Sequence, residues 1–236
     1  MTDAERNAGD RQDSGAGWPL SARLTLRAED LGPGPGVHPL LRHPVFAWLG
    51  LRPSMGQHTV GEHNALKKWA TGRSRLVEIG VAEGASAVGL REVMSASGTL
   101  WLIDPFHLSR VRYINAMKRA AHRVVASCRN GRAVWIERFS FDAVKGWDSP
   151  IDFLFLDGDH SEEGVQKDWD SWHRFVVPGG VVVFHDAAVF PGGWPQPDWG
   201  PVKLVDKLFR KQALPGWRIA QQVDSLVVVE RLEQRA

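Results

Sequence analysis

The stretch from residue 75 to residue 104 constrains the fold more than any other. Arg75-Leu-Val-Glu-Ile-Gly80 is short, apolar and partly β-branched, which reads as a buried strand. Val-Ala-Glu-Gly84-Ala-Ser86 follows, and its two glycines, Gly80 and Gly84, mark a sharp turn where the backbone comes close to something. The next run, to Met94, sets Val88, Leu90, Val93 and Met94 to cover one helical face. Thr99 to Ile103 is a second apolar strand, and it ends on Asp104. Strand, glycine turn, helix, strand and acid make up a βαβ nucleotide-binding unit.

The spacing separates one nucleotide from another. A dinucleotide fingerprint is Gly-x-Gly-x-x-Gly with an acid about 20 residues on. Here the pattern is Glu78-x-Gly80-x-x-x-Gly84, with Ala82 where a pyrophosphate would need glycine and Glu83 adding negative charge. A pyrophosphate is repelled by that charge, whereas a ligand carrying a sulfonium and an ammonium is not. Glu78, Gly80 and Gly84 resemble the first motif of the class I S-adenosylmethionine-dependent methyltransferases. Asp104 resembles their acid at the end of the second strand, which implies hydrogen bonds from the ribose hydroxyls. The resemblance implies cofactor contacts from Glu78, Gly80, Glu83, Gly84, Ser86, Asp104 and the adjoining Pro105.

Size allows one α/β domain: 236 residues, 43% of them hydrophobic, with a net charge of +2. That charge, without a basic-aromatic stripe, argues for no nucleic-acid partner. Cys128 is the only cysteine, which excludes an internal disulfide and a cysteine-based zinc site. No apolar run is long enough to span a membrane, and the first residues lack a signal-peptide core, so a cytoplasmic protein is expected.

Residues 1–17 are polar and charged and read as a disordered arm. Residues 18–72 form an N-terminal cap segment: some apolar content, the Gly32-Pro-Gly-Pro-Gly36 break, a short helix within 39–50, and a helix from Val60 to Ala70. Thr59 and Glu62 form a capping box for that helix, which Gly72 ends. Residues 73–232 are the cofactor-binding domain. After Asp104 a helical pattern runs from Val111 to about Ser127, then a strand from Ala133 to Ile136 and a short helix at Ser140. Ile151 to Leu156 is a fully apolar strand, followed by Asp157-Gly-Asp159-His160 and a helix capped by Ser161. Pro178-Gly-Gly180 is expected to turn into a fifth strand, Val181 to Phe184, ending in His185-Asp186. A Gly-, Pro- and Trp-rich loop, a helix over 201–212 and two strand-like runs close the chain. The fold expected is a mostly parallel, Rossmann-like seven-stranded methyltransferase sheet with an antiparallel last strand and helices on both faces.

Ligands in such sheets sit at the carboxyl ends of the strands. Those ends carry Glu78, Asp104, Asp157/Asp159/His160 and His185/Asp186. Asp157 through Gly164, with Pro178 through Asp186, resembles a branch of small-molecule O-methyltransferases that includes macrolide- and aminocoumarin-sugar methyltransferases and so-called cephalosporin hydroxylases. The resemblance covers about residues 57–230. It implies a divalent metal, usually Mg²⁺, on Asp157 and Asp186. His185 departs from the branch, whose pair is two acids or an acid with an amide, and imidazole suits Mg²⁺ poorly. Three arrangements stay open: Mg²⁺ on Asp157 and Asp186 with water, a transition metal recruiting His185, or no metal with a histidine as sole base. The branch also implies a general base at His160, with Asp159 as the alternative. His58 and Thr59 fall where relatives close over the methionine end, Phe139 and Ser140 fall near the adenine, and Asp157 borders the cofactor. Trp194 and Trp199, in the loop after the fifth strand, are expected to stack on the acceptor.

The activity expected is methyl transfer from S-adenosylmethionine to a hydroxyl of a small molecule, a sugar or specialised metabolite, by a homodimer. Two alternatives are a non-catalytic S-adenosylmethionine-binding protein and a nicotinamide-dependent oxidoreductase. The acids at the strand ends argue against the first, and Ala82 and Glu83 against the second.

Overall fold

The computed structural model describes residues 43–106 and 115–233. The sequence expectations for residues 1–42 and 107–114 lie outside the described residues. Strands covered on both faces are continuous apolar runs, and successive side chains feed opposite faces. That rule places the core here. Leu76, Phe153, Phe155, Val181 and Val183 point to one face of the sheet, and Val77, Leu154, Leu156, Val182 and Phe184 to the other. On the first face pack α2 (Val60–Ala70), α3 (Ala85–Val93) and α4 (Ala116–Ser127). On the second pack α5 (Ser140–Ala143), through Ala143, α6 (Glu162–Trp172), with Val165, Trp169 and Trp172, and α7 (Gly200–Val205). A short α1 (Pro44–Leu49) lies against α4, where Arg123 donates to the carbonyls of Ala47 and Trp48.

The strands are β1 (Arg75–Ile79), β2 (Thr99–Ile103), β3 (Arg132–Ile136), β4 (Ile151–Leu156), β5 (Val176–Phe184), β6 (Trp217–Val223) and β7 (Leu226–Arg231). They form one seven-stranded sheet in the order β3-β2-β1-β4-β5-β7-β6. β1 to β5 are parallel, and β7 runs antiparallel to both β5 and β6. The sheet is the one expected.

Two local expectations need correction. Pro178-Gly-Gly180 lies inside β5, not ahead of it. The register passes from Ile151↔Val176 to Phe153↔Val181, so β5 uses five positions where β4 uses two. Gly179, at φ +75°, takes up the surplus as a bulge. The helix expected over 201–212 is α7 followed by a wider π-type stretch, Asp206–Lys211. Among the described residues, α4 starts at Ala116, where Asn115 caps it by accepting from the Lys118 amide at 3.0 Å. No helix among the described residues is long and apolar enough to cross a membrane.

Candidate active site

Strand order reverses between β1 and β4, because the chain leaves β1 for β2 on one side and reaches β4 on the other. A crevice opens there at the carboxyl ends of the strands. Gly80, directly after β1, has φ +87°, and a Cβ on it would lie 2.0 Å from the Asp157 carbonyl oxygen. Only glycine lets the ends of β1 and β4 come this close. Gly84, at φ +82°, then starts α3 with no side-chain hydrogen bond capping it.

Acids surround this opening. Glu78 is fully buried; Ser86 donates its hydroxyl to Oε1, and Oε2 has no hydrogen-bond partner. Burial pushes the Glu78 carboxyl well above the usual range; the Ser86 bond opposes this, and Asp157 and Asp104 add to it. Asp104 Oδ2 accepts from the amides of Val81 and Ala82 at 2.9 and 3.0 Å, and Oδ1 from the Phe106 amide at 2.8 Å. The acid at the end of β2 therefore pins the glycine turn, with Pro105 in the bend beside it.

Glu83 corrects the sequence reading. Its carboxylate is buried and paired bidentately with Arg52, at 2.6 and 2.7 Å, and it accepts from the Met55 amide at 2.9 Å. Its charge is paired inside the protein, and it straps residues 52–55 onto the turn. Of the pair expected at the adenine, Ser140 donates its hydroxyl to Asp168 and is half-buried, and Phe139 is 43% exposed and stacked on Phe141.

A second group lies at the ends of β4 and β5. Asp157, His160, His185 and Asp186 bring one ligand atom each to within 4.8 Å of the others. His185 Nδ1 is 2.9 Å from Asp157 Oδ1 and 3.5 Å from Asp186 Oδ2. His160 Nε2 is 2.8 Å from Asp186 Oδ2. His185 and Asp186 are almost fully buried, whereas the His160 side chain is 36% exposed at the mouth. Asp159 stands apart. Its carboxylate accepts from the Ser161 amide at 2.8 Å and lies against Gly164, just ahead of α6 and outside the cluster. Ser161 adds the cap expected of it, accepting from the Gly164 amide at 3.0 Å.

The charges are shared within the group. Burial raises the Asp157 carboxyl, but the imidazole of His185, followed by His58 and His160, outweighs it and holds Asp157 below its ordinary value. Burial disfavours a charged His185, yet Asp157, Glu62 and Asp186 lift it well above the ordinary histidine value. The hydrogen bond to Asp186 raises His160 against burial, and the charge of Asp157 adds to the rise. His58 is buried against this group, its Nε2 3.7 Å from Asp157 Oδ2 and its ring centroid 4.4 Å from that of His185. Burial and His185 lower it to about 4, against the pull of Asp157 and Glu62.

The segment ahead of α2 closes over the group. Thr59 and Glu62 form the expected capping box, and the Thr59 hydroxyl also donates to Asp224 at 2.6 Å. The loop after β5 borders the mouth. Trp194 donates its indole N–H to Asp186 Oδ1 at 2.6 Å, and Trp199 meets the His160 ring edge-on at 5.6 Å. The Gly200 amide donates to the His160 carbonyl at 3.0 Å, which ties the end of this loop to the cluster.

Arg52, Glu62 and Asp168 were not singled out in the sequence as parts of this region. Glu62 was legible only as a helix cap, and nothing local marks Arg52 or Asp168 as buried.

Residues 77–187 match the family described as "Methyltransferase domain". Among solved structures, the O-methyltransferase TomG from Streptomyces achromogenes, in complex with SAM, aligns over 84% of this chain and 91% of its own, at 16% identity and a TM-score of 0.58. A methyltransferase from Geobacter sulfurreducens aligns over 84% and 91%, at 15% identity and a TM-score of 0.52. A Clostridium thermocellum protein described as a candidate rRNA methylase aligns over 73% and 94%, at 14% identity and a TM-score of 0.54. At these identities the likeness is one of fold. The match over residues 77–187 marks a methyltransferase domain, and the fold around it is the Rossmann-like methyltransferase fold.

Proposed function

We propose that this methyltransferase moves the methyl group of S-adenosylmethionine onto a hydroxyl of a small molecule, a sugar or specialised metabolite, with His160 as general base. One observation carries the reading: the partly exposed His160 is held by buried Asp186 at 2.8 Å, at a mouth bordered by Trp194 and Trp199. Asp186 fixes the Nε2 proton and leaves Nδ1 to receive the acceptor's proton, the arrangement of a histidine base oriented by a carboxylate. The acceptor oxygen attacks the methyl carbon in line with the S–C bond from about 3 Å. The O–C bond forms as the S–C pair returns to sulfur, and His160 takes the proton. Trp194 and Trp199 stack on the acceptor.

For the cofactor, we assign the ribose hydroxyls to Asp104 with Pro105 beside it, the amino group of the methionine end to Glu78 and Ser86, and the close backbone approach to Gly80 and Gly84. His58 and Thr59 cover the methionine end, Asp157 borders it, and Phe139 lies against the adenine. Asp157, His185 and Asp186 fit a divalent cation by position and by donor type. Bound there, a cation would lower the pKa of the acceptor hydroxyl.

The test is turnover of labelled S-adenosylmethionine with a panel of sugars, phenols and RNA, beside calorimetry with S-adenosylhomocysteine. His160→Gln is expected to slow transfer by about 10²- to 10⁴-fold with product affinity unchanged. Undiminished turnover in that variant, or methylation of RNA alone, would overturn the proposal.

A further inference from the structure

Glu62 is completely buried, although a capping box needs only a surface side chain. Burying a carboxylate is costly unless it is paired. Its Oε1 accepts from the Ser225 amide at 2.8 Å and from the Ser225 hydroxyl at 2.5 Å, and its Oε2 from the Thr59 amide at 2.7 Å. That same Oε2 is 3.6 Å from His185 Nε2, a buried nitrogen with no hydrogen-bond partner. The opposite nitrogen of the ring, Nδ1, faces Asp157 Oδ1 at 2.9 Å and Asp186 Oδ2 at 3.5 Å. His185 is thus a ring with one edge toward a single buried carboxylate and the other toward a cluster of ligand atoms.

An imidazole that binds a metal through one nitrogen gives its other N–H to a carboxylate or carbonyl, which fixes the tautomer. We propose that Glu62 is the outer carboxylate of a cation site: it takes the Nε2 proton of His185 and commits Nδ1, with Asp157 and Asp186, to a first-row transition cation in preference to Mg²⁺. This rests on the reading of those three residues as a metal set. The separations fit. A tetrahedral ion with bonds of about 2.05 Å spaces its ligands by about 3.3 Å, and 2.9 and 3.5 Å bracket that edge. An imidazole donor suits such an ion, whereas Mg²⁺ prefers oxygen alone. The fourth direction is that of His160, whose Nε2 lies 2.8 Å from Asp186 Oδ2 and 3.9 Å from Asp157 Oδ1. His58, tilted against the His185 ring, supports it from the remaining side.

The experiment titrates Co²⁺ into the metal-stripped full chain in millimolar Mg²⁺ and follows the visible absorption bands. Uptake of one Co²⁺ is expected in the wild type. Glu62→Gln is expected to weaken it by about 10- to 100-fold. Asp224→Asn, which loosens the same helix end through Thr59 without facing His185, is expected to leave it unchanged. Equal Co²⁺ affinity in Glu62→Gln and wild type, equal losses in both variants, or no uptake by the wild type overturns the inference. Histidine-ring ¹⁵N spectra of the Zn²⁺-loaded wild type give a reading that needs no variant: Nε2–H on His185 supports it, and metal on Nε2 overturns it. Calorimetry with S-adenosylhomocysteine runs alongside. Cofactor product bound without Co²⁺ sinks only the cation assignment, whereas neither bound sinks the proposed function as well.

Discussion

Gly80→Ala tests the idea that the ends of β1 and β4 are held at glycine-only distance. Two costs arise at this position. At φ +87° a Cβ meets its own backbone, which costs about 1–2 kcal/mol. The added carbon would also lie 2.0 Å from the Asp157 carbonyl oxygen, 2.5 Å from its carbon and 2.9 Å from Gly158 Cα. These are backbone atoms, so no side chain can rotate away, and such overpacking costs about 1–3 kcal/mol more. Gly72 supplies the control. Its φ is +72°, and nothing lies within 4 Å of its ideal Cβ. Urea unfolding should therefore show a loss of about 2–5 kcal/mol for Gly80→Ala against about 1–2 kcal/mol for Gly72→Ala. Where Gly80→Ala still folds, displacement of Asp157 should also weaken S-adenosylhomocysteine binding, which Gly72→Ala should leave intact. Equal destabilisation by the two substitutions would refute the argument, because only the steric contact separates them.

The buried Arg52–Glu83 pair predicts asymmetry. Arg52→Ala leaves a buried carboxylate short of its cation and should cost about 3–5 kcal/mol, whereas replacing both by apolar residues of similar volume should cost far less, both read by urea unfolding. Asp168 predicts a pH effect. Burial raises its carboxyl to about 6, against the Ser140 hydrogen bond, from 3.8. A raised acid pKa means that the folded state holds the proton longer, so stability falls as pH rises from 3.8 through 6, by about 3 kcal/mol in all. Asp168→Asn should match wild type below pH about 4 and exceed it progressively up to pH about 7; a constant difference across that range would contradict the assignment. Asp104→Ala should abolish calorimetric binding of S-adenosylhomocysteine and loosen the turn, since its carboxylate accepts from the Val81 and Ala82 amides.

The sheet was legible because its strands are apolar on both faces and need no knowledge of their neighbours. The helix starts at Thr59 and Ser161 were legible because a cap is a contact over three residues. Errors arose where a distant partner decides. Pro178-Gly-Gly180 has the composition of a turn, but the register against β4 makes it a bulge. Glu83 read as free charge in the glycine turn because nothing nearby in sequence announces Arg52, 31 positions earlier. Asp159 and His160 are adjacent and both polar, so composition could not rank them; Asp159 bonds the Ser161 amide ahead of α6, and His160 is left at the mouth.

The same logic explains why the cluster itself could be found in outline and not in detail. Parallel register brings the ends of β4 and β5 level, Leu156 opposite Phe184, so whatever follows those residues must meet. Asp157 and His185 are therefore neighbours by topology alone, and any seven-stranded sheet of this order would pair them. The other nitrogen of His185 faces Glu62 on α2, whose carboxylate is in turn held by Ser225 after β6. Those elements lie before β1 and at the last hairpin, the two ends of the folded domain. Contacts at the rim of the cluster thus join residues far apart in sequence, 163 positions between Glu62 and Ser225. A reading that proceeds strand by strand recovers the carboxylates at the strand ends and misses Glu62, which reaches His185 from a helix ahead of the sheet.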